Sequence, residues 1–137
     1  MTYIGIDPGK HTGFAVWDHD AKHLAEVATM SITQAMEKVR NIVEELGREN
    51  VVLFIEDARK RTWFGKTGPE VWKGAGSIRR DCTIWADFCR EQGLECRLMA
   101  PCRGCTKLDA SKFKALTKWQ GRTTEHSRDA AMIVFGR

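Results

Sequence analysis

Acidic and imidazole side chains occur in this sequence where they could act together on a cation. Asp7 ends the first apolar stretch of the chain, and Glu56 directly follows a longer one. His126 and Asp129 are spaced i, i+3 and therefore project from the same face of a helix, which Glu125 can extend. That face continues into apolar residues that must pack on a sheet. An ionised carboxylate placed there is costly unless a cationic group meets it.

Each of these side chains also has an ordinary structural interpretation. Asp7 is followed by Pro8 and Gly9, which is typical of a turn. Glu56 could be a solvent-facing acid at the end of a strand. His126 could be a hydrogen-bonded residue at a helix start, and Asp129 could form a helix salt bridge. Each residue taken singly is compatible with a structural or a functional role. The predicted secondary structure around them is therefore needed to show whether they come together.

The hydrophobic pattern predicts three strands followed by alternating helices and strands. Strands are predicted at residues 3–7, 13–17, 24–30, 51–55 and 94–99. Helices are predicted from Ser31 to Gly47, from Ser77 to Gly93, after Asp109 to about Gly121, and after Thr124 to Phe135. The order β-β-β-α-β-α-β-α-α predicts an α/β fold, a mixed five-stranded sheet flanked by helices. At 137 residues we expect a single domain, residues 1–137.

Positive charge is concentrated in one part of the chain. Residues 58–80 hold seven basic residues and one acid, whereas the remaining chain is slightly acidic. Such a patch favours a polyanion such as nucleic acid. Residues 59–76, rich in Gly, basic and aromatic residues, are predicted to form a mobile loop.

The sequence shows neither a membrane-spanning run nor a secretion signal, so we expect an intracellular, cytoplasmic protein. Its five cysteines are an odd number, which favours reduced thiols over a disulfide framework. Cys102 and Cys105 have the spacing of a zinc knuckle, but only Cys96 lies close enough upstream to assist. A structural zinc is therefore a minor alternative.

Three motifs in this order resemble the RuvC family of Holliday junction resolvases, within the RNase H-like superfamily. They are Gly5-Ile-Asp-Pro-Gly9, Phe54-Ile-Glu-Asp57 and His126-Ser-Arg-Asp-Ala-Ala131, and the resemblance spans almost the whole chain. It implies an RNase H-like sheet and a magnesium-dependent endonuclease that resolves four-way DNA junctions in recombination and repair. The chain is short for a bacterial resolvase, which would suit a virus-encoded member acting in the host cytoplasm. Its Trp-rich segment, residues 63–72, matches nothing in the family.

The resemblance also implies the site residues. Asp7, Glu56 and Asp129 correspond to metal-binding carboxylates, with His126 where family members carry Asp or His. Asp7 would be shared by two Mg²⁺ ions, Glu56 would bind one, and Asp129 with His126 the other; Mn²⁺ could substitute. His126 could instead assist proton transfer. Phosphate contacts are predicted for Arg59, Lys60, Arg61, Lys66, Lys73, Arg79, Arg80, Lys107 and Lys112, and base stacking or wedging for Trp63, Phe64 and Trp72.

Two other functions remain open from the sequence. A nuclease resembling the RuvX/YqgF-type factors that process ribosomal RNA precursors would use the same fold and acids as a monomer. A resolvase must cut two strands symmetrically, and so we expect a homodimer for that function. The third possibility is a nucleic-acid-binding relative without catalysis. A nucleotide cofactor is not expected, because the Gly5–Thr12 segment lacks the spacing of a P-loop.

Overall fold

The computed structural model describes the backbone of residues 1–60, 69–100 and 107–137, and the side chains of these except for 69–75 and 78. The elements follow the predicted order. The strands are β1 (Thr2–Asp7), β2 (Thr12–Asp18), β3 (His23–Met30), β4 (Val51–Glu56) and β5 (Glu95–Met99). The helices are α1 (Ile32–Leu46), α2 (Pro69–Gln92), α3 (Ala110–Thr117) and α4 (Glu125–Val134).

The five strands form one mixed sheet in the order β3-β2-β1-β4-β5. β1 pairs antiparallel with β2, and β2 with β3, as expected for a meander. β4 lies parallel to β1 on one side and to β5 on the other. This confirms the prediction of a mixed five-stranded sheet with flanking helices. It also places β4 in the middle of the sheet, as its continuous apolar run indicated.

Each face of the sheet carries its own apolar cluster. Ile4 and Ile6 of β1 pack on the face that α1 and α2 cover, together with the fully buried Trp85. The opposite face packs against α3 and α4 through Phe54, Phe113 and neighbouring residues. Because successive side chains of a strand point to opposite faces, Asp7 lies on the α4 side. The strand-end carboxylate and the helix with His126 and Asp129 therefore share one face.

Two helix starts follow directly from the sequence. The side chain of Ser31 accepts a hydrogen bond from the Gln34 backbone, and the Gln34 side chain accepts one from the Ser31 backbone, which is a complete capping box. Thr124 and Ser127 form the same reciprocal pair at the start of α4. A capping box satisfies two otherwise unpaired backbone donors. The start of α4 is thereby fixed immediately before His126 and Asp129.

The prediction of a loop over residues 59–76 is wrong for residues 69–76, which belong to α2. α2 begins at Pro69, where we expected the helix to start only at Ser77. Glycines in this segment lower helix propensity, but propensity is a weak influence beside a long packed helix. Proline at the first helical position is favourable, because its missing N–H has no helical partner there. Pro69 was therefore a usable sign of the helix start.

α3 is shorter than predicted. It ends at Thr117 rather than near Gly121, because Lys118 adopts a left-handed conformation with a φ of 64°. The hydroxyl of Thr117 donates to the carbonyl of Phe113 at 2.8 Å and accepts from the backbone N–H of Trp119 at 3.2 Å. These bonds turn the chain out of the helix. No helix within the described residues is long and apolar enough to cross a membrane.

Candidate active site

Asp7 and Glu56 are brought side by side by the parallel pairing of β1 and β4. In this register Gly5 lies opposite Phe54 and Ile6 opposite Ile55, so that the next residues are Asp7 and Glu56. The carboxyl ends of parallel strands lie at the same edge of a sheet, and both side chains are on the α4 face. Two residues that are 49 positions apart in the chain thus become direct neighbours.

Glycines let α4 approach the sheet closely over this edge. A Cβ atom on Gly5 would overlap the backbone carbonyl of Ala130, and one on Gly13 would overlap the carbonyl of His126. The same Cβ on Gly13 would lie 3.0 Å from the Cβ of Asp7. Gly13 was not among the residues predicted from the sequence to shape the site. The available signal was a glycine inside a strand, which often marks a close approach of another backbone.

Helix α4 places the His126 imidazole and the Asp129 carboxylate next to the strand-end carboxylates. Nδ1 of His126 lies 3.1 Å from Oδ2 of Asp7, within hydrogen-bonding distance. Asp129, one helical turn further on, is only 21% exposed and lies near enough to both carboxylates to affect their ionisation. The four residues predicted from the sequence are therefore brought together at one place.

A lysine from the segment before α3 also reaches this cluster. Nζ of Lys107 donates to Oδ2 of Asp129 at 3.0 Å and to Oε1 of Glu125 at 3.0 Å. Burial alone would lower the pKa of Lys107, but these two bonds and the negative charges of both carboxylates raise it above its usual range. The sequence predicted Lys107 as a phosphate contact and did not predict this ion pair. Glu125 belongs to the cluster through Lys107.

Burial, together with the crowding of negative charge, raises the pKa values of both strand-end carboxylates. Burial raises the pKa of Asp7 to about 6; the hydrogen bond to His126 counteracts this, and the nearby charge of Asp129 adds to it. Burial likewise raises the pKa of Glu56 to about 7, and the charges of Asp7 and Asp129 raise it further. An ionised carboxylate is disfavoured by poor solvation and by like charges. Such clusters are frequent at functional sites.

The donor chemistry of the cluster fits a divalent cation. Mg²⁺ takes oxygen ligands, and a bound cation would relieve the repulsion that raises both pKa values. Across the described ranges, no three acidic, histidine or cysteine side chains are already arranged around one point as a metal ion requires. Asp7 is instead directed to His126, and Asp129 to Lys107. A cation that enters between them would compete with these two partners.

Several predicted nucleic-acid contacts lie in the described part of the chain. Arg79 and Arg80 are exposed on α2, and Lys112 is exposed on α3. Lys60 donates to the carbonyl of Leu98 at 2.9 Å. Of the remaining predicted contacts, Arg61, Trp63, Phe64 and Lys66 lie outside the described residues, as do Cys102 and Cys105, and for Trp72 and Lys73 only the backbone is described.

Arg59 has a clear partner within the chain. Its guanidinium donates to both carboxylate oxygens of Asp57, at 2.9 Å for each of the two shortest contacts, and Asp57 is only 2% exposed. Burial would raise the pKa of Asp57, but the bonds from Arg59 outweigh it and hold that pKa below its usual range. Arg59 thus fixes the chain just after Glu56. Its predicted contact with phosphate stays a prediction.

Comparison with known proteins gives a match in structure rather than in sequence. No protein-family model and no curated protein matches the chain. The structure of T. thermophilus RuvC in complex with Holliday junction substrate does match, with a TM-score of 0.61 and 16% sequence identity. The match covers 98% of this chain and 91% of that chain. The chain has a RuvC-like fold.

This RuvC-like fold confirms the RNase H-like architecture that the three motifs suggested. At 16% identity the likeness concerns the path of the backbone and carries no residue roles. The roles of individual residues must therefore be inferred from the geometry of the site in this chain. There, Asp7 and Glu56 at adjacent strand ends and His126 and Asp129 on the covering helix form one acidic cluster.

Proposed function

We propose that this protein is a metal-dependent endonuclease that cuts branched DNA, with the four-way junction as its substrate. The observation that carries the proposal is the gathering of Asp7, Glu56, His126 and Asp129 at one edge of a RuvC-like sheet. The solved RuvC of similar fold is bound to a Holliday junction, which supports the choice of substrate.

Asp7, Glu56, Asp129 and His126 would hold Mg²⁺ in this enzyme, and Mn²⁺ would substitute. When bound, two such ions stabilise charge on the attacking and leaving oxygens of a phosphodiester and lower the pKa of a bound water. Without metal, Nδ1 of His126 hydrogen-bonds to the Asp7 carboxylate, and Asp7 would exchange this partner for the cation. Asp7 and Glu56 would also release the protons that their raised pKa values retain.

Basic side chains near this edge would hold the DNA backbone. Arg79 and Arg80 project from α2, and Lys112 from the first turn of α3, all exposed to solvent. Lys107 would move from Asp129 to a phosphate once a metal ion neutralises the acidic cluster. Contacts of this kind carry no sequence information but fix the position of the strand.

The proposed enzyme acts as a two-fold homodimer. Symmetric resolution of a four-way junction needs two cuts in strands of equal polarity, which two copies related by a two-fold axis provide. Sedimentation at micromolar concentration, with and without junction, measures the state of assembly. A monomer that makes only single nicks would instead favour the monomeric RNA-processing type of nuclease.

The deciding experiment compares cleavage of end-labelled substrates in Mg²⁺, in Mn²⁺ and in EDTA. The substrates are a four-way junction, a three-way junction, a linear duplex and a folded RNA. We expect paired cuts in the four-way junction that require metal, and their loss in Glu56→Gln. Asp87→Asn, an exposed carboxylate on α2 that pairs with Arg90, is the matched control and should cleave normally. Metal-independent cleavage, or an active Glu56→Gln variant, would refute the proposal.

A further inference from the structure

A second basic surface lies beside the acidic cluster, on α3 and the segment after it. Residues 107–122 contain five basic residues and one acid. Lys112, Lys114, Lys118 and Arg122 are all exposed. Among the residues that the structure describes, these four have no carboxylate within ion-pair distance. Unpaired positive charge on one short segment favours a polyanion over a neutral partner.

This surface contains an open cavity of about 350 Å³. The partly exposed Trp119 supplies an aromatic wall above the buried Phe113, Lys114 and Arg122 supply positive charge, and Thr123 supplies a hydroxyl group. That volume is near the lower end of ligand pockets, which run from about 300 to 1,000 Å³. A cavity of this size admits one nucleotide but not a stacked base pair. Its lining combines the two groups that a nucleotide needs, aromatic surface for the base and cations for the phosphate.

The indole nitrogen of Trp119 gives an independent sign of a ligand. Its N–H is buried and has no hydrogen-bond partner in the described part of the chain. Gly121 lies against it, and a Cβ atom at that position would be 2.9 Å from the nitrogen. Any side chain at Gly121 would therefore crowd the indole N–H. A base or phosphate oxygen that entered there would supply the missing acceptor.

Hydrogen bonds and packing connect the wall of the cavity to α4, the helix that carries His126 and Asp129. Phe113 is 1% exposed and forms part of the apolar cluster under α4. Arg128 of α4 donates to the hydroxyl of Thr123 at 2.9 Å and to the carbonyl of Leu108 at 2.9 Å. Thr123 of the cavity wall directly precedes the cap of α4, the helix with His126 and Asp129. A strand held in the cavity would therefore be fixed relative to the site of cleavage.

We propose that this surface is a second nucleic-acid contact, in which the cavity holds one unpaired nucleotide of the DNA near the branch point. Lys114 and Arg122 contact its phosphates, and its base lies against Trp119. The inference rests on the proposed function for the identity of the DNA. It extends the contact already expected at Lys112 of α3 to a cavity formed with Lys114, Trp119 and Arg122.

Binding measurements in EDTA, where no cleavage takes place, test the proposal on three probes: a four-way junction, a single-stranded oligonucleotide and a linear duplex. For Lys114→Gln/Arg122→Gln we expect at least tenfold weaker binding of the junction and of the single strand. We also expect the slope of log K against log salt to fall by about 1.4 to 1.8, since each phosphate contact contributes about 0.7 to 0.9. Arg90→Gln is the matched control, because Arg90 is exposed at the distant end of α2.

The variant Trp119→Leu distinguishes the contribution of base stacking from that of the charged side chains, because it removes the aromatic surface and leaves Lys114 and Arg122 in place. Loss of one base–aromatic contact should weaken binding of the junction and the single strand about 5- to 150-fold and leave duplex binding within twofold. Equal losses on all three probes, or losses below twofold on the junction and single strand, would overturn the proposal. If thermal melting shows that Trp119→Leu does not fold, the double variant decides alone. If Lys114→Gln/Arg122→Gln and Trp119→Leu bind the junction with unchanged affinity and cleave it normally, this inference alone is refuted. If the wild-type protein binds none of the three probes, the proposed function is refuted.

Discussion

Replacement of Asp7 by asparagine should make the metal-free protein more stable while it abolishes the proposed cleavage. The physical reason is that Asp7 is largely buried, with a side chain that is 14% exposed, beside Asp129. Its pKa is raised from 3.8 to about 6, so that the folded state holds a proton that the unfolded state releases. Asparagine keeps the shape and a hydrogen bond to His126 but carries no charge.

The size of the effect follows from the pKa shift. A shift of about two units corresponds to about 3 kcal/mol, since each unit contributes about 1.4 kcal/mol; partial solvent screening reduces this to about 2 kcal/mol. Because the pKa is raised on folding, the ionised carboxylate destabilises the wild type as pH rises from about 4 through about 6. The advantage of Asp7→Asn should therefore be full at pH 8 and fall below about 1 kcal/mol at pH 4.

Urea unfolding in EDTA at pH 8, 6 and 4 measures this difference directly. For a chain of this size, about 2 kcal/mol corresponds to a rise in melting temperature of about 6–8 °C. Asp87→Asn, at an exposed position, should change stability by less than about 0.5 kcal/mol at each pH. A variant that is no more stable than wild type at pH 8 would show that the charge of Asp7 costs nothing in the fold, and the argument for a strained acidic cluster would fail.

Three further outcomes follow from the site. The apparent affinity for Mg²⁺, measured by calorimetry, should rise about tenfold or more between pH 5.5 and 7.5, since the raised pKa values of about 6 and about 7 at the strand ends mean that metal must displace protons. Lys107→Gln should strengthen Mg²⁺ binding by the protein alone, because it removes the cation that now pairs with Asp129. Gly5→Ala should lower the free energy of unfolding by about 1–3 kcal/mol or more, because its methyl group would overlap the carbonyl of Ala130.

Each of these outcomes has a control and a contrary result. An Mg²⁺ affinity that does not change with pH would contradict the raised pKa values. Lys112→Gln is the control for Lys107→Gln, and weaker metal binding by the Lys107 variant would contradict the competition. Gly9→Ala is the control for Gly5→Ala, since its Cβ would have its nearest neighbour at 3.6 Å. A fully stable Gly5→Ala protein would show that α4 can move away from the sheet.

The sequence alone determined the order of elements and most of their bounds. Local signals are sufficient for this, since a capping box such as Ser31 with Gln34 lies within one helical turn and apolar periodicity within one element. Two bounds were misjudged, the start of α2, where the signal of Pro69 was overlooked, and the end of α3. α2 starts at Pro69 although Gly74 and Gly76 lower the helix propensity of its first turns, and α3 ends early because Lys118 adopts a left-handed conformation.

In the sequence, the candidate site was indicated by three motifs that occur in the same order as in the RuvC family. Its geometry is visible only in the tertiary structure. Asp7 and Glu56 become neighbours through the parallel register of β1 and β4, which no local signal specifies. The closeness of α4 depends on Gly5 and Gly13 meeting its backbone, a contact between distant segments. The pairing of Lys107 with Asp129 is likewise non-local. The sequence therefore determined which acids are present, and the packing of helix on sheet decided that they lie together, where burial raises the pKa values of Asp7 and Glu56.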